Sequence, residues 1–500
     1  MGSMGRPVFR LIADVRSDEA PAAALMALNG FVLMMAYSCI KPVREALILA
    51  HPGGAEDKAY MAGATALVLL LAVPAYSRAS RGLPRNRLVV GATAFFATQL
   101  LAFYAVGLSS GSSRAYALAF YLWIAVFNMM IVTQFWSFAS DLYTEEAGRR
   151  LFPLLGFGVS LGAVAGAATA RVLIGRIGTL SMMPLAAGLL IVSASVFEWV
   201  HAHEISHAAN AEAKAVATSV VGGRAGDAFR ALVGDRYLLY IAAFSLLFTL
   251  VKTNGDYVLA RSVEEAAHRA VATGVLHVSG VSNYIGGVFA DITFWTDMMS
   301  LVLQGLVVSR IVTHAGFRIA FLTLPIVALG DASLMATWPM LMAVRIGKTT
   351  ESAIDYSLNN TVRHMLWLPT SRRNKYLAKQ ATDTVFVRAG DIVSAILIFA
   401  VTRIGLPARA VPASNLILIV VWLVLAGAIL EERRRLIEPS ARVHGKASRI
   451  ARRVLGFAGF IDSPWKRAQV DDERASLPRS ARHGDGAIVP IDNPLREGES

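Results

Sequence analysis

Residues 23–50 read AALMALNGFVLMMAYSCIKPVREALILA, and this stretch decides the fold class. Its first eighteen residues carry no charge, which is close to the roughly 20 apolar residues that an α-helix needs to cross a bilayer. Lys41 and Glu45 then follow, four residues apart, although a charge inside the bilayer costs roughly 2.5–3.5 kcal/mol on insertion scales. We therefore predict a membrane helix whose charged end faces a polar pathway.

The same spacing recurs half a chain later, where Lys252 and Asp256 lie in another apolar segment. We predict that Lys41 pairs with Glu45 and that Lys252 pairs with Asp256, each within its own helix. Intramembrane charges that recur in two halves are typical of transporters built from structural repeats. The pattern therefore predicts duplicated halves around a charged interior.

Composition places the chain among polytopic membrane proteins. Of its 500 residues, 55% are hydrophobic and 17% are charged, and the apolar residues form stretches long enough to span a bilayer. The net charge is +13, but much of the excess lies in loops and near the C-terminus, where membrane orientation accounts for it. We therefore predict no nucleic-acid partner. Cys39 is the single cysteine, which excludes an intrachain disulfide framework.

The apolar runs predict an all-α protein with about twelve transmembrane helices in two six-helix halves. The halves, 23–200 and 235–431, are joined by a polar, alanine-rich linker at 201–234. A segment at 1–22 precedes them and a basic tail at 432–500 follows them. Six plus six helices about a linker is the plan of major-facilitator-like transporters. The predicted spans are 23–50, 59–77, 88–108, 115–140, 151–173, 179–200, 235–261, 286–310, 316–332, 335–362, 377–403 and 412–431.

Basic residues in the loops predict the orientation. Arg78, Arg81 and Arg85 fill one loop, whereas the next loop back, at 51–57, has no Lys or Arg. Because cytoplasmic loops carry the excess of Lys and Arg, both termini are predicted to be cytoplasmic, in a bacterial inner membrane. The first span is too long for a signal-peptide core and is expected to be retained. The basic tail is expected to lie near anionic lipid headgroups and to be disordered from Pro464 onward.

Ionisable residues on four predicted membrane helices form the candidate substrate site. They gather on one face of the helix at about 100° per residue, and such a face would line a polar cavity rather than meet lipid. An excess of fixed cations suits a small anionic substrate, because Arg binds phosphate or carboxylate with two hydrogen bonds and Lys supplies a point charge. The acidic residues would hold those cations or carry protons. The candidate substrate-binding residues are Lys41, Arg44, Glu45, Lys252, Asp256, Lys348, Glu351, Asp355, Asn359, Lys379, Arg388 and Asp391.

Three glycines predict close helix packing. Gly158, Gly162 and Gly166 lie four residues apart in the fifth predicted span. Small residues at this spacing let two membrane helices approach closely. We predict that these glycines pack against another helix rather than contact a ligand.

Alternative interpretations remain open at this point. His203, Glu204 and His207 satisfy the H-E-x-x-H pattern, in which two histidines bind zinc and the glutamate acts as a base. This motif lies in the polar linker without an enclosing core, so we predict a protein that is not an enzyme and needs no metal or cofactor. A membrane-tethered zinc protease is the alternative, and a non-transporting membrane scaffold is a third possibility. Ion pairs that only lock helices together would be a structural explanation of the same charges.

Several motifs resemble those of a known family. Lys41-Pro42-Val43-Arg44-Glu45 resembles the Lys-Pro-Leu-Arg-Asp signature of the nucleotide transporter family, which comprises the ATP/ADP translocases of plastids and intracellular bacteria and their wider bacterial relatives. The resemblance covers roughly residues 23–431. Other matching runs are Phe135-Trp136-Ser137-Phe138, Asp141-Leu142-Tyr143, Arg149-Arg150-Leu151-Phe152-Pro153, Asp355-Tyr356-Ser357-Leu358-Asn359-Asn360 and Leu368-Pro369-Thr370-Ser371-Arg372.

The resemblance implies a major-facilitator-like carrier that takes a nucleotide, or a related phosphorylated or organic anion, by exchange or proton coupling. Lys41 matches a first-helix lysine tied to substrate, and a basic residue between Lys375 and Lys379 is similar to a late essential lysine. The exchangers also carry an acidic residue in the fourth span, where this chain offers only the neutral Asn128 and Gln134. In this respect the chain resembles the free-living bacterial branch of the family.

Overall fold

The computed structural model describes residues 19–79, 85–143, 145–204, 232, 234–338, 340–370, 378–379, 381–407 and 409–458. Across these ranges the chain forms helices, turns and short connections without a strand. The prediction of an all-α protein is confirmed. The helices up to Arg433 form one compact unit, and a second unit begins at Arg434.

Twelve long helices, α1 to α12, account for most of the described residues. The first six are α1 (Ala20–Leu49), α2 (Gly54–Ala79), α3 (Arg85–Ser110), α4 (Arg114–Leu142), α5 (Glu145–Ile177) and α6 (Met182–Glu204). The second six are α7 (Arg236–Ala272), α8 (Val281–Val302, continued by Leu303–Val307, Val308–Arg310 and Ile311–Ala315), α9 (Gly316–Thr337), α10 (Leu341–Ile354, continued by Asp355–Asn359 and Asn360–Leu366), α11 (Thr382–Phe386 and Val387–Ile404) and α12 (Ala410–Ala458).

Local sequence explains where several helices begin and end. The carboxylate of Asp235 accepts a hydrogen bond from the Tyr237 backbone N–H at 2.9 Å, and the Ser113 hydroxyl accepts one from Tyr116 N–H at 3.3 Å. Both are N-caps that satisfy a free donor at the start of a helix. Gly316 has a φ of 81°, a backbone conformation that glycine adopts without a steric penalty. It therefore separates α8 from α9 without a loop.

Nine helical stretches within the described ranges are long and apolar enough to cross a membrane. One of them, Val278–Thr337, contains both α8 and α9, because the chain turns at Gly316. The helix α10 is not among the nine, which agrees with the charged residues Arg345, Lys348 and Glu351 in its first part. The helix count is consistent with the predicted twelve spans.

Several helix bounds differ from the predicted spans by five residues or more, including those of α7, α8 and α12. The helix α7 continues to Ala272 instead of ending near residue 261, because its last turns contact the start of α2. The helix α8 begins at Val281 rather than 286. The helix α12 ends at Ala458, whereas the predicted twelfth span ends at residue 431. The predicted disordered tail lies outside the described residues, as does most of the predicted linker.

The three largest hydrophobic clusters hold the helices together. One lies almost entirely within α1 to α6 and is built around Phe120 and Phe127. A second lies within the later helices and includes Phe244, Phe321 and Trp422. The third joins residues from both halves around the α1–α2 connection and α7. The first two clusters correspond to the two predicted six-helix halves.

The glycine stripe of α5 packs against α1, as predicted. A Cβ atom added to Gly158, Gly162 or Gly166 would overlap the backbone carbonyl oxygen of Ala27, Phe31 or Met35, respectively. The two backbones are therefore in direct contact, which only a residue without a side chain allows.

We expect Gly162→Ala to destabilise the fold by about 1–3 kcal/mol, because the added methyl forces α1 and α5 apart. The matched control is Gly175→Ala on the same helix, where an added Cβ atom meets nothing within 4 Å. The measurement is thermal unfolding of the purified variants in detergent. Equal stability of the two variants would contradict the packing assignment.

Candidate functional site

A cavity of about 660 Å³ lies between the two halves. Side chains from α1, α2, α4, α7, α10 and α11 form its wall. Its charged lining residues are five cations and three carboxylates. The cations are Arg44, Lys58, Lys252, Arg363 and Arg388, and the carboxylates are Asp256, Asp355 and Asp391. The lining therefore has a surplus of positive charge, which favours an anionic ligand.

Tyrosine rings lie beside the cations of the cavity. The Arg44 guanidinium lies 4.8 Å from the centre of the Tyr121 ring, and the Lys252 ammonium lies 4.9 Å from that of Tyr356. The Lys41 ammonium, which is not part of the cavity lining, lies 5.5 Å from the Tyr37 ring and 5.9 Å from the Tyr356 ring. These distances are typical of cation–π contacts. The cavity thus combines positive charge with flat aromatic surfaces.

The predicted pair between Lys41 and Glu45 does not form. Glu45 instead binds the ammonium of Lys58 on α2 at 2.7 Å and the guanidinium of its neighbour Arg44. Lys41 has no acidic partner at ion-pair distance within the described part of the chain, and Asp297 of α8 is the acidic residue that attracts it most strongly. Spacing along one helix missed Lys58 because it comes from a neighbouring helix, and it missed Arg44 because Arg44 is adjacent to Glu45 in sequence.

The predicted pair between Lys252 and Asp256 does not form either. The Lys252 ammonium donates to Asp355 of α10 at 2.6 Å, whereas Asp256 binds Lys348 of α10 at 3.2 Å. Each of the two α7 residues is therefore paired with a residue of α10 rather than with the other α7 residue. These crossed ion pairs connect α7 to α10 along the cavity wall.

The charged face predicted for α10 points inward. Lys348 is 2% exposed and also binds Glu351 at 3.0 Å, while the Asn359 amide donates to Asp355 at 2.9 Å. Asp355–Asn359 forms a π-helical turn, a local widening that is frequent at functional sites. No sequence signal predicted this turn. Arg345, on the same predicted face, binds Asp291 of α8, which also binds Arg171 of α5 at 2.7 Å.

The last three candidate residues in the sequence, Lys379, Arg388 and Asp391, divide between two cavities. Arg388 and Asp391 form an ion pair at 3.5 Å in the central cavity, and the Thr253 hydroxyl donates to Asp391 at 2.9 Å. Lys379 instead lines a smaller cavity of about 240 Å³, where its ammonium lies 3.3 Å from the His364 ring nitrogen. Lys379 is therefore outside the central cavity.

The two halves contact each other at the end of the bundle that carries the α1–α2 connection. The Glu264 carboxylate of α7 accepts hydrogen bonds from the backbone N–H groups of Gly53 at 2.9 Å and Ala55 at 3.0 Å. Glu56 accepts from the Tyr257 hydroxyl and binds Arg261, both at 3.0 Å. These contacts hold the halves together on one side of the cavity.

A sequence profile of the TLC ATP/ADP transporter family matches residues 112–432, which is more than half of the chain. The chain belongs to the TLC ATP/ADP transporter family. Together with the apolar helices, membership identifies an integral membrane protein. The resemblance seen in the sequence motifs is confirmed, and the family is one of transporters rather than enzymes, as predicted.

Comparisons with individual proteins agree with this assignment. The ADP,ATP carrier protein 1 of Chlamydia pneumoniae is 19% identical over 341 residues, which cover 60% of this chain and 64% of that carrier. The aligned region thus spans slightly less than two thirds of the carrier's length. A solved structure of a mutant of the nucleoside transporter NupG superposes with a TM-score of 0.59 at 13% identity, over 82% of this chain and 99% of NupG. A transporter of the POT family with a bound thioalcohol-conjugated peptide gives a TM-score of 0.55 at 11% identity, over 83% of this chain and 96% of its own.

These superpositions confirm the major-facilitator-like fold for this member of the TLC family. Six of the twelve candidate residues line the central cavity, namely Arg44, Lys252, Asp256, Asp355, Arg388 and Asp391. The others lie behind its wall or beside it, namely Lys41, Glu45, Lys348, Glu351, Asn359 and Lys379. Sequence reasoning missed Lys58, because the second span was predicted to start one residue later. It also missed Arg363, which lies one residue beyond the predicted tenth span.

The zinc-protease alternative gains no support. The first two residues of the motif, His203 and Glu204, lie at the end of α6, and His207 lies outside the described residues. Among the residues that the structure describes, no group of three or more His, Cys, Asp or Glu could hold a metal ion. The transporter family accounts for the chain without a catalytic centre.

Proposed function

We propose that this protein is an alternating-access transporter of a nucleotide or a related phosphorylated anion, which binds in the cavity between the two halves. The observation that carries the proposal is the surplus of cations in that cavity, where five basic side chains face three carboxylates. The carboxylates of Glu45 and Glu351 and the ammonium of Lys348 lie in the wall behind them. An anion would therefore replace acidic side chains as the partner of the lining cations.

The aromatic surfaces support a nucleotide over a simple inorganic anion. Tyr37, Tyr121 and Tyr356 line the same cavity as the cations. A planar base would stack on such rings, a contact that contributes about 1–3 kcal/mol per base in single-stranded nucleic-acid complexes. Phosphates would bind the lysine and arginine side chains beside those rings. Nucleotide binding by this cavity is also consistent with the presence of ATP/ADP carriers in the same family.

In the proposed orientation, the protein lies in a bacterial inner membrane and both of its termini are in the cytoplasm. The end of the bundle closed by Glu264 and Glu56 then faces outward, because it carries the connection after the first helix. In this orientation, the central cavity would be closed toward the outside of the cell. Rocking of the halves would break these contacts and expose the cavity to the other side. The basic tail would lie at anionic headgroups.

The substrate class is tested by thermal unfolding of the detergent-purified full chain with ATP, ADP, adenosine, phosphorylated sugars and dicarboxylates. A ligand that binds only the folded state at 100 times its Kd stabilises that state by about 2.7 kcal/mol. We expect a concentration-dependent rise in Tm with ATP or ADP and none with adenosine. A response to dicarboxylates alone would remove the nucleotide assignment and keep the transporter fold.

Neutralising Lys41 by Lys41→Gln is expected to abolish transport while membrane insertion stays intact. Lys41 has no ion-pair partner of its own within the described part of the chain, so its charge is available to a ligand that approaches Tyr37 and Tyr356. The measurement is uptake of labelled nucleotide by proteoliposomes, with the amount of reconstituted protein quantified for each variant. Retained uptake would remove Lys41 from the substrate pathway.

A further inference from the structure

We infer that the buried carboxyl groups of Asp331 and Glu351 share a proton, in a site that Lys348 and Asp256 connect to the central cavity. None of the sequence patterns pointed to Asp331. The inference deepens the proposed function and rests on it, because a proton held here is one that transport could use. The existence of the site does not depend on which substrate is carried.

Asp331 is an unpartnered acid inside the helix bundle. It lies on α9, is 7% exposed, and its Oδ1 atom is buried without a hydrogen-bond partner. The same oxygen lies directly over Gly347 of α10, where an added Cβ atom would overlap it. Glu351 lies four residues further along α10, one helical turn from Gly347 and on the same face of the helix. Two buried acids, each 7% exposed, therefore lie on neighbouring helices, with Asp331 against the face of α10 that carries Glu351.

The surrounding charges do not balance. Lys348 is the cation of the cluster, with its ammonium 3.0 Å from Glu351 and 3.2 Å from Asp256. It also donates to the Lys252 backbone carbonyl at 3.2 Å and occupies the space beside Gly255, so α7 holds it in place. The charged groups that act on Asp331 from the neighbouring helices are Glu351, Lys348 and Asp256. One cation thus faces three acids.

Asp256 receives compensation from elsewhere, because Lys58 and Lys252 also attract it across the cavity. Lys348 then neutralises one more carboxylate, and one negative charge at Asp331 and Glu351 remains. An isolated buried carboxylate is costly and takes up a proton instead. A protonated carboxyl can donate a hydrogen bond to an ionised neighbour.

A proton fits this site better than a metal ion does. Within the described ranges, no three acidic, histidine or cysteine side chains are arranged to hold one, and the ammonium of Lys348 already lies between the carboxylates of Glu351 and Asp256. The surplus at Asp331 and Glu351 is also a single negative charge. A proton neutralises it without adding a bulky ligand to a packed interior.

The cluster has a route to water and to the substrate. The Asp256 side chain is 39% exposed in the central cavity, whereas that of Lys348 is 2% exposed. An anion bound by Lys58 and Lys252 would weaken their attraction for Asp256, and Lys348 would then be drawn toward Asp256 and away from Glu351. The carboxyl pair would bind its proton more tightly. Anion and proton binding are therefore expected to reinforce each other.

The test is pH-difference infrared spectroscopy of the detergent-purified full chain without any substrate. The wild type is expected to show a carbonyl band of a buried protonated carboxyl that disappears at alkaline pH. Asp331→Asn and Glu351→Gln should each lose this band, because Lys348 then suffices for the remaining acid. Asp331→Glu should keep a band, and Glu265→Gln, a partly exposed acid at the far end of α7, should leave it unchanged.

Persistence of the band in both Asp331→Asn and Glu351→Gln, with folding verified by size exclusion, would overturn the inference. The titration is then repeated with choline in place of sodium, which tests whether a sodium ion rather than a proton occupies the site. A wild-type band that appears only without sodium would assign the site to a metal cation and likewise overturn the proton assignment. Because no substrate is present, loss of nucleotide binding in a separate assay would affect the proposed function and leave this result standing.

Discussion

Replacing Lys252 by glutamine is expected to weaken ATP binding by about 10- to 100-fold, because a hydrogen bond to a charged group contributes about 1.5–3 kcal/mol. The Lys252 ammonium lies in the cavity wall, where it binds Asp355 at 2.6 Å and lies against the Tyr356 ring. The substitution removes one phosphate partner and leaves the Asp355 carboxylate free to repel the ligand. Equilibrium binding of ATP to the purified protein measures the effect.

The two contributions to that loss are separated by a double variant. Lys252→Gln combined with Asp355→Asn removes the unpaired carboxylate and is expected to restore part of the affinity. Arg318→Gln serves as the matched control, because Arg318 is an exposed cation at the start of α9, away from the cavity lining. Equal affinity of wild type and Lys252→Gln would exclude Lys252 from the binding site.

Replacing Lys348 by methionine is expected to destabilise the protein by about 3–5 kcal/mol, the usual cost of removing one partner from a buried ion pair. Its ammonium is the common partner of Glu351 and Asp256, and Lys348 is only 2% exposed, so solvent compensates little for its loss. Thermal and denaturant unfolding of the purified variant measure the change. This effect is one of stability, in contrast to that of Lys252→Gln.

The contrast with a partly exposed pair strengthens the test. Arg388→Gln breaks a 3.5 Å pair whose arginine lies in the open cavity, and such pairs contribute about 0–1 kcal/mol. Lys348→Met combined with Glu351→Gln should recover part of the lost stability, because one stranded carboxylate is removed. If Lys348→Met unfolds at the wild-type temperature, the buried cluster does not stabilise the fold as described.

The fold was predictable from the chain because spanning a bilayer constrains the sequence strongly. An uncharged run such as residues 23–40 has few structural alternatives to a membrane helix. The same constraint singles out charges inside such runs, and for that reason Lys252, Asp355 and Arg388 were predicted before any geometry was known. Glycines at four-residue spacing in α5 likewise identified a contact between helices, which the overlap with α1 backbone confirms.

Partners across helices were not predictable in the same way. Spacing along one helix predicted Lys252 with Asp256, but the closest carboxylate to Lys252 comes from α10, more than a hundred residues away in sequence. Tertiary packing determines which helices are neighbours and which residues lie at the same level along the bundle. A single sequence does not reveal this packing. Asp331 was not predicted because it is a lone acid in an apolar helix. Its environment becomes visible only in the structure, where it contacts Gly347 on the α10 face that carries Glu351.

The most direct test of the central claim is counterflow in proteoliposomes preloaded with ATP. Labelled ADP is added outside, and its accumulation is followed for wild type, Lys252→Gln and the Arg318→Gln control. The account predicts accumulation by wild type and the control, and a loss of at least tenfold in Lys252→Gln, in proportion to the loss of binding. Accumulation that is unchanged in Lys252→Gln, or absent in wild type with every nucleotide tried, would contradict a nucleotide site in the central cavity.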